Sequence, residues 1–107
     1  MSNAIITGQT GLLQTITYTG TGELSNTLTF NFLPKCIHAV GVNNVSGDVH
    51  NATIVAPASK MVVFNSASTN GKSNVTWSGN TVTLTSAESS WAVLNHSSIT
   101  YSIIAFG

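Results

Sequence analysis

The sequence predicts a small all-β domain, and three observations support this prediction. No window carries apolar residues at i, i+3, i+4 and i+7 over three turns, as an amphipathic helix would. Apolar and polar residues instead alternate along much of the 107-residue chain. Thr, Val and Ile are abundant and the best helix formers are scarce. Because this length suits one domain, we expect a single antiparallel β-sandwich, jelly-roll-like, with about eight strands.

The strands are predicted in chain order from their patterns. Residues 1–12 contain Gly8 and Gly11 and are predicted to be an N-terminal arm or a loosely attached edge strand, with the sandwich spanning residues 13–107. Strict alternation predicts strands with one buried and one solvated face. Continuous apolar runs predict central strands, or strands whose outer face meets a partner. The alternating segments are 15–19, 27–32, 75–78 and 81–85, and the apolar runs are 37–42, 61–64 and 101–106.

Turn-forming residues separate these segments. Gly79, between two alternating segments, predicts a tight hairpin with a positive φ angle. Pro34 ends the second strand, because proline cannot donate a hydrogen bond within a central strand. The remaining connections are predicted as polar loops at residues 20–22, 43–51, 66–73, 86–90 and 95–98.

Charge is unusually scarce in this chain. Only 6% of residues are charged, and the formal net charge is zero; an ordinary domain has about a quarter charged residues. Such a chain has no electrostatic attraction for nucleic acid or anionic lipid, so neither is a predicted partner. It also lacks the self-repulsion that keeps proteins apart. We therefore expect a homo-oligomer; the alternative is a polar surface that is kept soluble by hydroxyl and amide groups alone.

Catalysis is not predicted. The carboxylates Glu23, Asp48 and Glu88 are far apart in sequence, and no nucleophile elbow or phosphate loop is present. No two histidines share metal-ligand spacing, and Cys36 is the single cysteine. We therefore predict neither an enzyme nor a cofactor or metal site. The sequence also lacks a signal peptide and a run of about 20 apolar residues, so we expect no membrane insertion.

The candidate ligand-binding residues are Trp91, Asn95 and His96. Trp91 is predicted at the start of a strand, out of phase with Ala92 and Leu94. A tryptophan at such an edge suits a sugar ring, because its apolar face stacks on the ring while nearby amides bind hydroxyls. The alternative for Trp91 is packing in the core or in an interface.

Several segments resemble a pattern found in phage and prophage tail-fibre proteins. Residues 18–37, YTGTGELSNTLTFNFLPKCI, are similar to that family's Y-T-G-N-G, followed by an alternating strand that ends in G-F-x-P-K and by an apolar strand. Residues 77–84, WSGNTVTL, are similar to its hairpin, and residues 95–107, NHSSITYSIIAFG, resemble its closing N-x-x-G-x-x-Y-x-Y-I-A-F. Asn31 and Ser102 depart from the pattern, standing where the family often has Gly and a second aromatic residue.

The resemblance implies a structural virion protein of a bacterial virus. The expected location is a tail fibre or baseplate appendage, usually trimeric, which contacts other virion proteins and the host surface, including its glycans. The small size of the chain leaves two alternatives open. One is a capsid decoration or head-fibre protein without a receptor role, and the other is a bacterial carbohydrate-binding module.

Overall fold

A computed structural model describes residues 12–65 and 69–107. The described chain is all-β, which confirms the predicted fold class. It contains one short 3-10 turn, Ser90–Val93, and no helix that is long and apolar enough to span a membrane. The strands are β1 Leu13–Thr19, β2 Ser25–Thr29, β3 Cys36–Asn43, β4 Val49–Val55, β5 Lys60–Asn65, β6 Thr69–Ser78, β7 Thr81–Thr85 and β8 Ile99–Phe106.

The strands form one continuous antiparallel sheet in the order β1-β8-β3-β4-β5-β6-β7-β2. β4 joins the two four-strand halves by pairing with β5 at His50–Asn65 and Asn51–Phe64. The sheet curls so that side chains of its two edge strands reach each other, and Asn26 Nδ2 of β2 donates to Tyr18 Oη of β1 at 2.9 Å. The predicted two-sheet sandwich is therefore not confirmed, because β4 carries the hydrogen-bonded ladder across into β5.

The core lies inside this curl. Every second residue of each strand points inward, as the alternating pattern predicts. The 3-10 turn adds Val93, and Leu94 directly after it is also fully buried. The largest fully buried aliphatic side chains are Ile37, Leu84, Leu94, Ile99 and Ile103.

Several connections differ from the sequence prediction. Trp91 begins no strand, because the Ser89 Oγ accepts a hydrogen bond from Trp91 N at 3.1 Å and starts the 3-10 turn. Leu94 ends that turn with a left-handed φ of 56°. β6 begins at Thr69, inside the loop predicted at 66–73, and buries the polar side chain of Ser73. The loop predicted at 43–51 is shorter, because β3 extends to Asn43 and β4 begins at Val49.

Two other sequence predictions concern the hairpin and the arm. The tight hairpin between β6 and β7 is confirmed, with Gly79 at a φ of 56°. The predicted arm, residues 1–12, lies outside the described residues except for Leu12. The backbone carbonyl of Leu12 accepts a hydrogen bond from Gly107 N at 2.9 Å.

Candidate binding site around the 3-10 turn

A row of aromatic and polar residues crosses the inner face of the sheet beside the 3-10 turn. The strand register aligns Tyr18, Tyr101, Gly41, His50 and Asn65. The rings of Tyr18 and Tyr101 stack with centroids 5.3 Å apart. Gly41 makes room for this stack, because a Cβ at that position would lie 2.6 Å from the Tyr101 ring. The row therefore places a stacked pair of tyrosine rings inside the sheet.

Trp91 lies at the centre of an aromatic cluster with two histidines. Its ring stacks on His96 with centroids 3.7 Å apart and planes at 28°. His50 packs against Trp91 at 4.9 Å and 35°. His96 is oriented by its Nδ1, which accepts a hydrogen bond from Ser98 N at 3.1 Å. The structure thus brings Trp91 and His96 together and adds His50.

His50 was assigned to no site by the sequence prediction, which placed it in a loop. It is the second residue of β4 and only 3% exposed. A signal was present, because His50 is in phase with Ala52 and Ile54 on the inward face of the strand. Burial lowers the pKa of His50, the nearby Asp48 carboxylate opposes this shift, and His96 adds to it. The buried histidine therefore favours its neutral form.

Asn95, the third candidate, directly precedes His96 and is 4% exposed. Its Oδ1 accepts from Thr21 N at 2.9 Å, and its Nδ2 donates to Thr21 Oγ1 at 2.8 Å. Nδ2 also approaches the carbonyl oxygens of Glu23 and Ser25 at 3.2 and 3.4 Å. The amide thus ties the β1–β2 loop to the segment before β8, and its hydrogen bonds are made within the protein.

Asn26 is a second amide that bonds within the protein; it is half-buried, and the sequence prediction missed it. Its Nδ2 lies 2.9 Å from Tyr18 Oη and from the Val93 carbonyl oxygen, and 3.2 Å from that of Leu94. Tyr18 Oη in turn donates to the Leu94 carbonyl at 2.7 Å. The signal was its position, since Asn26 is in phase with the core residues Leu28 and Phe30. Asn26 thus fastens the 3-10 turn to both edge strands.

Trp91 and His96 form a surface that is suited to binding. Trp91 and His96 are half-buried, so part of each ring faces solvent. One face of Trp91 is covered by His96 and is closed to a sugar ring. In the described part of the chain, no group of three or more His, Cys, Asp or Glu residues is placed to hold a metal. A shallow groove of about 490 Å³ lies nearby, between β6 and the loop after β7, with Lys72 and Glu88 in its lining.

A scan against protein-family models, a search of curated proteins and a search of solved structures each found no match. The resemblance to tail-fibre proteins therefore stays a prediction from sequence. The ligand-binding role of Trp91, Asn95 and His96 stays a prediction as well.

Proposed function

We propose that this chain is a non-catalytic structural domain of a bacterial-virus particle. It forms part of a tail fibre or baseplate appendage, assembles with copies of itself, and contacts the host surface. The proposal starts from the sequence resemblance over residues 18–107.

One structural observation connects the sequence resemblance to the fold. The segments 18–22 and 95–101, which carry two distant parts of the pattern, pack directly on each other. Gly22 N donates to the Asn95 carbonyl at 2.7 Å. Gly20 lies so close to the His96 carbonyl that a Cβ would overlap it. The residues that make the pattern recognisable are therefore residues that this fold needs to join its first and last strands.

The proposed host contact is the solvent-facing part of Trp91 and His96. Asn95 contributes to this contact indirectly, because its side-chain amide holds the β1–β2 loop through hydrogen bonds to Thr21. Ser89 and Ser90 precede Trp91, and Ser97 and Ser98 follow His96 in the sequence. A half-exposed aromatic surface with such hydroxyl-bearing neighbours suits a neutral glycan, which offers apolar ring faces and hydroxyl groups. Two described acidic residues lie close to these rings in sequence. Asp48 is two residues before His50, and Glu88 is three residues before Trp91.

The location can be tested by immunoelectron microscopy. Antibodies raised against the purified chain should label the tail appendages of phage particles that carry its gene. Label on the capsid would contradict the appendage role and favour the decoration alternative. Purified particles that carry no label at all would contradict a virion role altogether.

The host contact can be tested on an array of bacterial surface glycans. We expect the wild-type chain to bind and Trp91→Leu to weaken binding by roughly tenfold, as loss of a contact of about 1.4 kcal/mol would. The matched control is Trp77→Leu, since Trp77 is also half-buried but lies on β6. Equal binding by both variants, with native circular dichroism, would remove Trp91 from the contact.

A further inference from the structure

The outer face of β1, β8, β3 and β4 carries no Lys, Arg, Asp or Glu, and its one histidine is His38, whose Nδ1 lies 3.0 Å from Thr53 Oγ1 on the same face. It consists of every second residue of each strand, starting from Leu13, Thr100, Cys36 and Val49. We call this the uncharged face. The alternate residues of β8, β3 and β4 point into the core and are buried, so the outward assignment follows from the burial pattern.

Apolar side chains dominate one row of the uncharged face. The strand register places Leu13, Phe106, Cys36 and Val55 side by side across all four strands. Leu13 is 63% exposed, Val55 59% and Phe106 43%. An unbroken apolar row of this kind is unusual on a surface that faces only water.

The rest of the surface is different. Lys60 and Lys72 are exposed on β5 and β6, and Lys60 Nζ donates to the side-chain oxygen of Asn74. The outward residues of β2 and β7 are hydroxyl-bearing, as in the Thr29–Thr81 pair. The remaining described charges, Lys35, Glu23, Asp48 and Glu88, lie in connections between strands. The lysines of β5 and β6 therefore lie outside the uncharged face, while Lys35 and Asp48 border it in the connections before β3 and β4.

We infer that the uncharged face packs against the same face of other copies of this chain, an inference that rests on the self-assembly in the proposed function. A surface that meets itself must avoid opposing like charges, and this face has none to oppose. Four strands about 4.8 Å apart and about 25 Å long give an area of roughly 500 Å² per copy.

Two such faces bury about 1,000 Å² in total, which is near the lower limit for a specific interface. Phe64 pairs with Asn51 of β4 and is 48% exposed, so it adds an apolar side chain beside the face, across the joint in β5. An area of this size fits a weak interface between copies of the chain.

The inference can be tested with lysine substitutions in the full chain. Thr17→Lys places a charge on the uncharged face, and Thr27→Lys places the same charge on the outer face of β2. Both threonines are exposed and lie in edge strands, so neither change should affect folding. Val55→Lys is a second variant on the face. Light scattering and sedimentation velocity would be measured up to about 100 µM, the range for weak interfaces, with circular dichroism as a check of folding.

We expect a wild-type oligomer, an unchanged Thr27→Lys variant, and at least a roughly tenfold weaker association for Thr17→Lys and Val55→Lys. Intact oligomers of both face variants would overturn the assignment of the face while leaving self-assembly in place. An equal effect of Thr27→Lys would also overturn it. A wild-type chain that stays monomeric would overturn both the face contact and the self-assembly part of the proposed function.

Discussion

At the scale of single residues, two asparagines, the buried Asn95 and the half-buried Asn26, hold the ends of the fold together. Asn26 joins β2 to Tyr18 and to the 3-10 turn, and Asn95 joins the β1–β2 loop to the segment before β8. Both connections are made by side-chain hydrogen bonds and not by backbone pairing between strands. Buried amides of this kind are costly to remove, because their partners remain buried without a hydrogen bond.

Replacement of Asn95 by alanine should therefore destabilise the protein strongly. We expect Asn95→Ala to lower the free energy of unfolding by about 2–3 kcal/mol, since Thr21 N and the neighbouring carbonyls lose a partner. Urea denaturation followed by circular dichroism measures this. The control is Asn51→Ala, because Asn51 is exposed on β4 and should cost less than about 0.5 kcal/mol. Similar losses for the two variants would contradict the role of Asn95.

The burial of Tyr18 and Tyr101 predicts how stability changes at alkaline pH. Burial raises the pKa of Tyr101 to about 12 and raises that of Tyr18 as well. The unfolded chain loses these protons near pH 10, so the contribution of the neutral tyrosines to stability is full below pH 10 and is lost as the pH rises through 12. Absorbance at 295 nm should show no tyrosinate near pH 10 in the folded protein. Normal titration there, with native circular dichroism, would contradict the buried stack.

At the scale of elements, the joint between the β1–β2 turn and the segment before β8 decides how the chain closes. Gly20 approaches the backbone of Asn95 and His96, where no side chain fits. The 3-10 turn beside this joint adds two fully buried residues, Val93 and Leu94, to the core. A disturbance of the joint should therefore reach both the core and the aromatic cluster around Trp91.

Gly20→Ala tests this joint. The added methyl group meets backbone rather than a movable side chain, so we expect a loss of about 2–3 kcal/mol in unfolding free energy. The matched control is Gly47→Ala, where nothing lies within 4 Å of the added Cβ although φ is +78°. That strain should cost about 1 kcal/mol. A smaller effect at Gly20 than at Gly47, measured by urea denaturation, would show that the joint can open without cost.

At the scale of the whole molecule, charge has little part in stability. The chain carries three Lys and three acidic residues, and Lys60 bonds an amide rather than a carboxylate. Stability therefore depends on packing, backbone hydrogen bonds and buried amides. The lysines of β5 and β6 lie outside the uncharged face.

Unfolding should consequently be insensitive to ionic strength. We expect the free energy of unfolding to change by less than about 0.5 kcal/mol between roughly 20 and 300 mM NaCl, because few ion pairs exist for salt to screen. Urea titrations at constant pH and at a fixed low protein concentration measure this. A change of more than about 1 kcal/mol would show that long-range charge interactions matter in spite of their small number.

The all-β class and the hairpin at Gly79 could be predicted from local sequence alone. Alternation of polar and apolar residues and a glycine with positive φ are local properties, which can be recognised without knowing the partner strand. The sequence also predicted Trp91 and His96 as candidate ligand-binding residues, and the structure places their rings in contact.

The order in which the strands pair could not be predicted from the sequence. The pairing of β4 with β5 makes one curled sheet where two were expected, and pairing between strands is a long-range choice that periodicity does not encode. Tertiary packing likewise brought His50 to Trp91 and turned Asn95 inward to the β1–β2 loop. An asparagine in sequence looks the same whether its amide faces a ligand or closes a loop, since its surroundings come from residues more than 70 positions away.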